Sequence, residues 1–280
     1  IKMANITAAE VAKLRKMTGA GMMDCKKALQ ENDGDFEKAI DYLRKKGAKV
    51  AAKRADKDAT EGYVIAKTND DNTFGVLLMV NCETDFVAKG EEFINFVNSL
   101  ADLALENKPA NLEEMRALKL GNITVDVALD ELVGKTGEKM EFDTFATIAA
   151  PKVFGYNHIG NKIGTLLALN KADVADVDEK GHDVAMQIAA MNPIAIDKAN
   201  VSQETIDREI EVGKELARQE GKPEAMLDKI AQGRLGKFFK ENTLLNQDFI
   251  KDSKQTVGQY LQASDKDLTV TEFYRFALGS

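Results

Sequence analysis

Glu83 and Asp85 stand two residues apart around Thr84, a pair of carboxylates of the kind that performs general acid–base work. Asp85 together with His158 would supply the carboxylate and imidazole of a hydrolase. Neither carboxylate has a sequence neighbour that would tune its proton affinity, and His158 lies between Tyr156 and Gly160, where a surface or core histidine is the ordinary outcome. The two histidines, His158 and His182, and the two cysteines, Cys25 and Cys82, fall at no metal-ligand spacing, and no Cys-x-x-Cys occurs. A Gly-x-x-x-x-Gly-Lys-Ser/Thr cradle, a Gly-x-Gly-x-x-Gly after a strand and a Gly-x-Ser-x-Gly elbow are all missing. Gly19-Ala20-Gly21 precedes a helix but also follows one, which makes it a turn. The chain is therefore expected to be no enzyme and to hold no metal and no cofactor. What Glu83-Thr84-Asp85-Phe86-Val87-Ala88-Lys89 does offer is a large ring set among short polar residues, where a strand runs out into a turn. Such a ring either tucks back under the following helix or stands out as an anchor for another protein. Position alone favours the tucked alternative.

The elements around that ring follow from periodicity. Residues 75–80 are apolar, short and partly β-branched, as in a strand buried on both faces, and residues 90–104 read as a helix. Residues 164–170 repeat the pattern of 75–81, with Gly, Leu, Leu and Asn in register at Gly75/Gly164, Leu77/Leu166, Leu78/Leu167 and Asn81/Asn170. Each copy follows a second strand-like segment across a polar turn (62–67 and 154–158) and precedes an acidic connection and a helix (93–104 and 184–191). The shared order argues for duplication and predicts two small antiparallel sheets, each with helices laid on it, an α+β architecture. Where the first copy has Glu83-Thr84-Asp85-Phe86, the second has Ala172-Asp173-Val174-Ala175, with no aromatic. Residues 123–149 add an amphipathic helix through Val125, Ala128, Leu129 and Leu132, then a strand alternating Met140, Phe142 and Phe145. Residues 269–278 read as a closing strand that returns to one of the sheets.

Ahead of this core stands a three-helix head. Thr7-Ala8-Ala9-Glu10 is a capping box that starts a helix with Val11, Leu14 and Met17 on one face. A second helix spans 22–32. A third begins after Gly34-Asp35 and carries Phe36, Ala39, Ile40 and Leu43 before Gly47, and residues 45–60 read as a solvated helical extension or linker. Near the other end, Ile206, Ile210, Gly213 and Ala217 line one helix, Gly221-Lys222-Pro223 breaks it, and Met226, Leu227, Ile230, Leu235 and Phe238 line another. The narrow apolar stripe with charged flanks predicts an antiparallel coiled coil projecting ~20–25 Å at 1.5 Å per residue. The expected domains are 1–57 for the head and linker, 58–153 for the first core half, 154–201 with 246–280 for the second, and 202–245 for the hairpin.

Composition sets the outer bounds. The 280 residues, 44% of them hydrophobic, suffice for a sizeable core, and the longest apolar run is far short of the ~20 residues that span a bilayer. Two sequence-distant cysteines suit a reducing compartment, and a cytoplasmic protein is expected. Ile1-Lys2 ahead of Met3 reads as a foreign remnant. Net charge is −8, unevenly spread: residues 1–57 hold 14 Lys and Arg against 8 Asp and Glu, leaving 24 against 38 beyond them. A basic head on an acidic body could touch nucleic acid, but the head has only Phe36 and Tyr42 as aromatics and its lysines fall at helical spacing among acids, and no direct nucleic-acid contact is expected.

Three motifs then point to a family. Residues 18–29, Thr-Gly-Ala-Gly-Met-Met-Asp-Cys-Lys-Lys-Ala-Leu, residues 81–88, Asn-Cys-Glu-Thr-Asp-Phe-Val-Ala, and Gly155-Tyr156-Asn157-His158 closely resemble the bacterial translation elongation factor Ts family, with a match spread over nearly the whole chain. The resemblance implies a ubiquitin-associated-type head, a duplicated α+β core and an inserted coiled-coil hairpin. A further C-terminal helical module carried by some members is not expected here. It also implies guanine nucleotide exchange on elongation factor Tu, GDP-bound and nucleotide-free, with no membrane and no small-molecule substrate. Thr84, Asp85, Phe86 and Val87 would approach the GTPase domain, the ring wedging between helices so that the groups holding Mg²⁺ and phosphate shift. Met22 and Met23 would touch the same domain near its guanine side, and His158 would lie near the interface. With the resemblance in hand, Phe86 is expected to stand out rather than tuck in. The alternative function is a non-catalytic scaffold that uses its three-helix head, with Phe86 in its own core.

Overall fold

A computed structural model describes residues 6–279; Ile1-Lys2 lies outside them. The described residues form two compact units, one made of residues 6–65, 78–147 and 277–279, the other of 66–77 and 148–276.

The first unit opens with α1 (Ala8–Thr18), α2 (Met22–Glu31) and α3 (Phe36–Lys53). Thr7 caps α1: its hydroxyl accepts from Glu10 N while the Glu10 carboxylate accepts from Thr7 N at 2.7 Å. Leu14, Cys25, Ala28, Leu29 and Ala39 close a small dry core, with Phe36, Ile40 and Leu43 packed on it. Met17 is not part of it. The 3.6-residue period groups it with Val11 and Leu14, yet it stands 57% exposed beside the turn into α2.

The helix α3 does not stop at Gly47. It continues to Lys53, because Gly47 is a point of helix contact rather than a helix end. It faces Gly134 of α7 (Val125–Thr136), where a Cβ on Gly47 would sit 2.7 Å from Asp130 O and one on Gly134 would sit 2.6 Å from the Gly47 Cα. A mid-helix glycine costs about 1 kcal/mol of helix propensity relative to alanine. Here it lets two backbones touch, and Arg44 donates to Glu131 at 2.8 Å beside the contact.

Beyond the head come β1 (Glu61–Thr68), β2 (Phe74–Cys82), a single-turn helix α4 (Asp85–Ala88), α5 (Glu91–Asn107), α6 (Leu112–Ala117), the two-residue strands β3 (Lys119–Leu120) and β4 (Ile123–Thr124), α7 and β5 (Met140–Ala149). Strands β1, β2 and β5 form one sheet with β2 in the middle. In β5 the buried residues are Met140, Phe142, Ala146 and Ile148, all on one face by the two-residue period. Phe145, an odd-numbered position outside that run, is only half-buried and meets the Phe142 ring edge-on at 6.4 Å.

The later strands β6 (Lys152–Asn157), β7 (Ile163–Leu169) and β10 (Val270–Ala277) form a second sheet in the order β10-β7-β6, again with the second strand of the hairpin central. β6 and β7 pair antiparallel, Lys152 opposite Leu169 through Asn157 opposite Gly164. Helix α8 (Val177–Met191) begins seven residues before the expected 184. Its first half hides from a hydrophobicity pattern because Lys180 and Asp183 are buried, and because Gly181 lies under the Phe154 ring, where a Cβ would overlap it. Polar partners satisfy those residues: Tyr260 Oη donates to Asp183 at 2.9 Å and Lys251 Nζ pairs with it at 2.6 Å. The core here gathers Leu167, Ile188, Leu244, Phe249, Leu261 and Val270.

Helices α9 (Gln203–Gln219) and α10 (Leu227–Asn242) run side by side in opposite directions, crossing closely where a Cβ on Gly213 would lie 3.3 Å from Ala231. Met226, expected on the apolar stripe, precedes α10 and is exposed. A short ladder of β8 (Asp248–Phe249) with β9 (Asp252–Thr256), then α11 (Val257–Gln262), leads into β10. Among the described residues no helix is long and apolar enough to cross a membrane.

Candidate protein-binding site

At the end of β2 the backbone is held on both sides of the carboxylate pair. Glu83 accepts two hydrogen bonds from the Arg54 guanidinium, Nε at 2.6 Å and Nη2 at 2.8 Å, and a third from Lys139 N at 2.6 Å. Those donors favour the charged form and hold its carboxyl down to about 2, the guanidinium making the largest contribution. A carboxylate so committed is no general base at neutral pH. Cys82 lies just before it; burial and the nearby Glu138 charge push the thiol up to about 12, and Sγ contacts Thr84 O at 3.2 Å. Such a thiol is inert.

Thr84 is gripped in turn. Its N–H donates to Glu138 Oε2 at 3.1 Å and its hydroxyl to Oε1 at 2.7 Å, while the same hydroxyl oxygen caps α4 by accepting from Val87 N. The turn expected at this point is thus one helical turn. Asp85 pairs with Lys89 at 2.7 Å across i to i+4, and Val87 is half-buried over the buried Ala88. Phe86 is left with its ring out: it is 88% exposed. The tucked alternative that position alone favours is overturned: on α4 the ring stands in solvent while Val87 is half-buried and Ala88 buried.

The remaining expected site residues also lie at the surface. Met22 and Met23 open α2 after Gly21 and are 51% and 73% exposed, so neither packs in the head core. With Met17 they put three thioethers around the Gly19–Gly21 turn. His158 belongs to the other unit, on the β6–β7 turn; its Nδ1 lies 3.0 Å from Tyr156 Oη and its N–H donates to Ile163 O. Among the described residues no carboxylate is within hydrogen-bond distance of the imidazole. Beside it Ile159 is 92% exposed, a residue the sequence analysis passed over. A large apolar residue next to Gly160 in a polar turn was the available signal. The Arg54 and Glu138 clamps were missed for another reason: no spacing rule connects residues 29 and 54 positions apart. Among the described residues no group of three or more His, Cys, Asp or Glu could hold a metal ion.

The geometry defines a class of site: bare apolar side chains on an α+β scaffold, beside carboxylates already tied to Arg54, Lys139 N and Lys89. Comparison with known proteins narrows the class. The family described as Elongation factor TS matches residues 83–280. The chain is 54% identical to elongation factor Ts of Christiangramia forsetii over 277 residues, covering 99% of this chain and all of the relative. It is 53% identical to that of Flavobacterium psychrophilum over 278 residues, at the same coverage, and 50% identical to that of Amoebophilus asiaticus over 275 residues, 98% of this chain and 99% of the relative. The chain belongs to the elongation factor Ts family.

Proposed function

We propose that the protein is a guanine nucleotide exchange factor for elongation factor Tu in the cytoplasm, that it works without enzymatic chemistry, and that Phe86 is its wedge. The observation that carries this reading is the Phe86 ring, bare to solvent on a helical turn fixed at Glu83 and Thr84. A ring held this way supplies contact energy only to a partner that opens to receive it. Burying a phenylalanine contributes about 1.5–3 kcal/mol, which as differential affinity is roughly 10- to 150-fold. By linkage, a factor that binds the empty GTPase more tightly than the GDP-bound form weakens GDP binding by the same factor. Thr84, Asp85 and Val87 frame the ring, and the charge of Asp85 beside it acts on the groups that hold Mg²⁺ and phosphate. Met22 and Met23 take a second contact on the GTPase domain, where flexible thioethers fill irregular grooves. His158 takes a third.

In this reading residues 1–57 work as a head, 58–153 and 154–201 with 246–280 as two core halves, and 202–245 as a projecting coiled-coil hairpin that reaches another face of the partner. The test is release of a fluorescent GDP from elongation factor Tu, followed by stopped flow with and without the chain. Acceleration that disappears with Phe86→Ala, in a variant that unfolds at the wild-type temperature, supports the wedge. Unchanged release with the wild-type chain rejects the function, and full acceleration by Phe86→Ala rejects the wedge alone.

A further inference from the structure

The head carries a groove that nucleotide exchange leaves unused. Between α2 and α3 lies a shallow channel of about 530 Å³ lined by Lys27, Lys45, Lys46, Lys49 and Lys53, with Tyr42 in its wall. One carboxylate enters it, Asp24, and Lys46 neutralises that one. Among the described residues Lys27, Lys45, Lys49 and Lys53 are exposed and pair with no acid. Helical spacing among acids, one of the two grounds for expecting no nucleic-acid contact, therefore does not hold on this face: the acids of α3, Glu37 and Asp41, precede the groove, and from residue 42 to 53 the helix has none.

We propose that this groove binds the backbone of a single-stranded nucleic acid. Lys45, Lys49 and Lys53 recur every four residues, about 6 Å apart along the helix, a row that can follow successive phosphates of an extended strand. Lysine suits that role because its ammonium is a mobile point charge that needs no fixed acceptor geometry. Val50 and Tyr42, the latter half-buried against the head core, line the channel with an apolar strip against which a base can rest, a feature that an acidic protein surface would not need. Acidic protein is the competing occupant, and the two differ in their response to Tyr42.

The experiment uses the full chain and a fluorescein-labelled dodecamer of uridylate, read by anisotropy from about 50 to 200 mM salt. With four unpaired lysines each releasing about 0.7 counterion, log affinity is expected to fall against log salt with a slope near −3. The triple variant Lys45→Gln/Lys49→Gln/Lys53→Gln is expected to weaken binding by more than about tenfold and to bring the slope near −1. Its thermal midpoint should match the wild type, since the three side chains are exposed. Tyr42→Leu, which keeps the apolar packing, should weaken binding a few-fold at unchanged slope. No anisotropy change at the lowest salt overturns the proposal, as does binding indifferent to the triple variant. Polyglutamate that binds as tightly as the RNA, with Tyr42→Leu without effect on either, assigns the groove to an acidic protein instead.

Discussion

The connection after β2 and the connection after β7 leave equivalent central strands of two sheets and enter helices, yet they treat their hydrophobic residue in opposite ways. After β7, Asn170 donates from its amide to Asp267 O at 2.8 Å and accepts from Thr269 N at 2.9 Å, and Lys171 pairs with Asp265 at 2.8 Å. That segment is stitched to the strand-entry loop beside it, and Val174 packs inward on the core. After β2 the polar bonds run instead from Glu83 to Arg54 and from Thr84 to Glu138, which fix the two residues before α4 and leave the next side chain bare. Two similar joints thus do different work. One closes a core, and the other holds out a probe.

The widest separation should come from the two hydrophobes themselves. Phe86→Ala should lower exchange acceleration roughly 10- to 150-fold with the unfolding midpoint unchanged, as the ring contributes nothing to its own fold; a fall of 3 kcal/mol or more in stability, measured by urea unfolding, would return Phe86 to the core. Next, Arg54→Ala frees Glu83 while leaving the ring intact. It should reduce exchange several-fold and lower the urea midpoint only slightly, since the pair is open to solvent, and an unaltered exchange rate would show that the clamp does not position the wedge. Asn170→Ala provides the converse: about 1 kcal/mol of stability lost in the urea midpoint, no change in GDP release. A loss of exchange without a loss of stability there would erase the distinction between the joints.

The smallest effect is with pH. Since the Glu83 carboxyl is lowered from 4.5 to about 2 in the folded protein, its contribution is present above pH 4.5 and is lost as pH falls through about 2. The stability gap between wild type and Glu83→Gln should accordingly narrow across that window, and a gap that widens on acidification would remove the guanidinium as the cause.

Most of the helices could be read from the chain because one face of each meets apolar neighbours at a regular period, as Phe93, Val97, Leu100 and Ala104 do in α5. The Phe86 turn was legible as a motif, and its exposure by resemblance but not from its position: whether a ring after a strand folds in or out depends on Arg54 and Glu138, remote residues that hold the backbone before it. Where buried polar groups replace apolar ones the period fails, which is why the start of α8 was invisible. Glycine misleads in the same way. A residue that reads as a stop signal at Gly47 is a contact surface when another glycine, 87 positions away, comes to meet it.

That contact gives α3 a fixed phase. Its early turns, through Phe36, Ile40 and Leu43, belong to the head core; its middle meets α7 at Gly47; and Arg54 follows its last turn and grips Glu83. One added residue between 48 and 52 would leave the first two attachments in place but turn Arg54 by about 100° and move it on by ~1.5 Å. The head would keep its fold while the grip lost its bearing. Spacing along this one helix is thus a length standard, and the segment from 48 to 52, which carries little core of its own, tolerates exchange of residues far better than a change in their number.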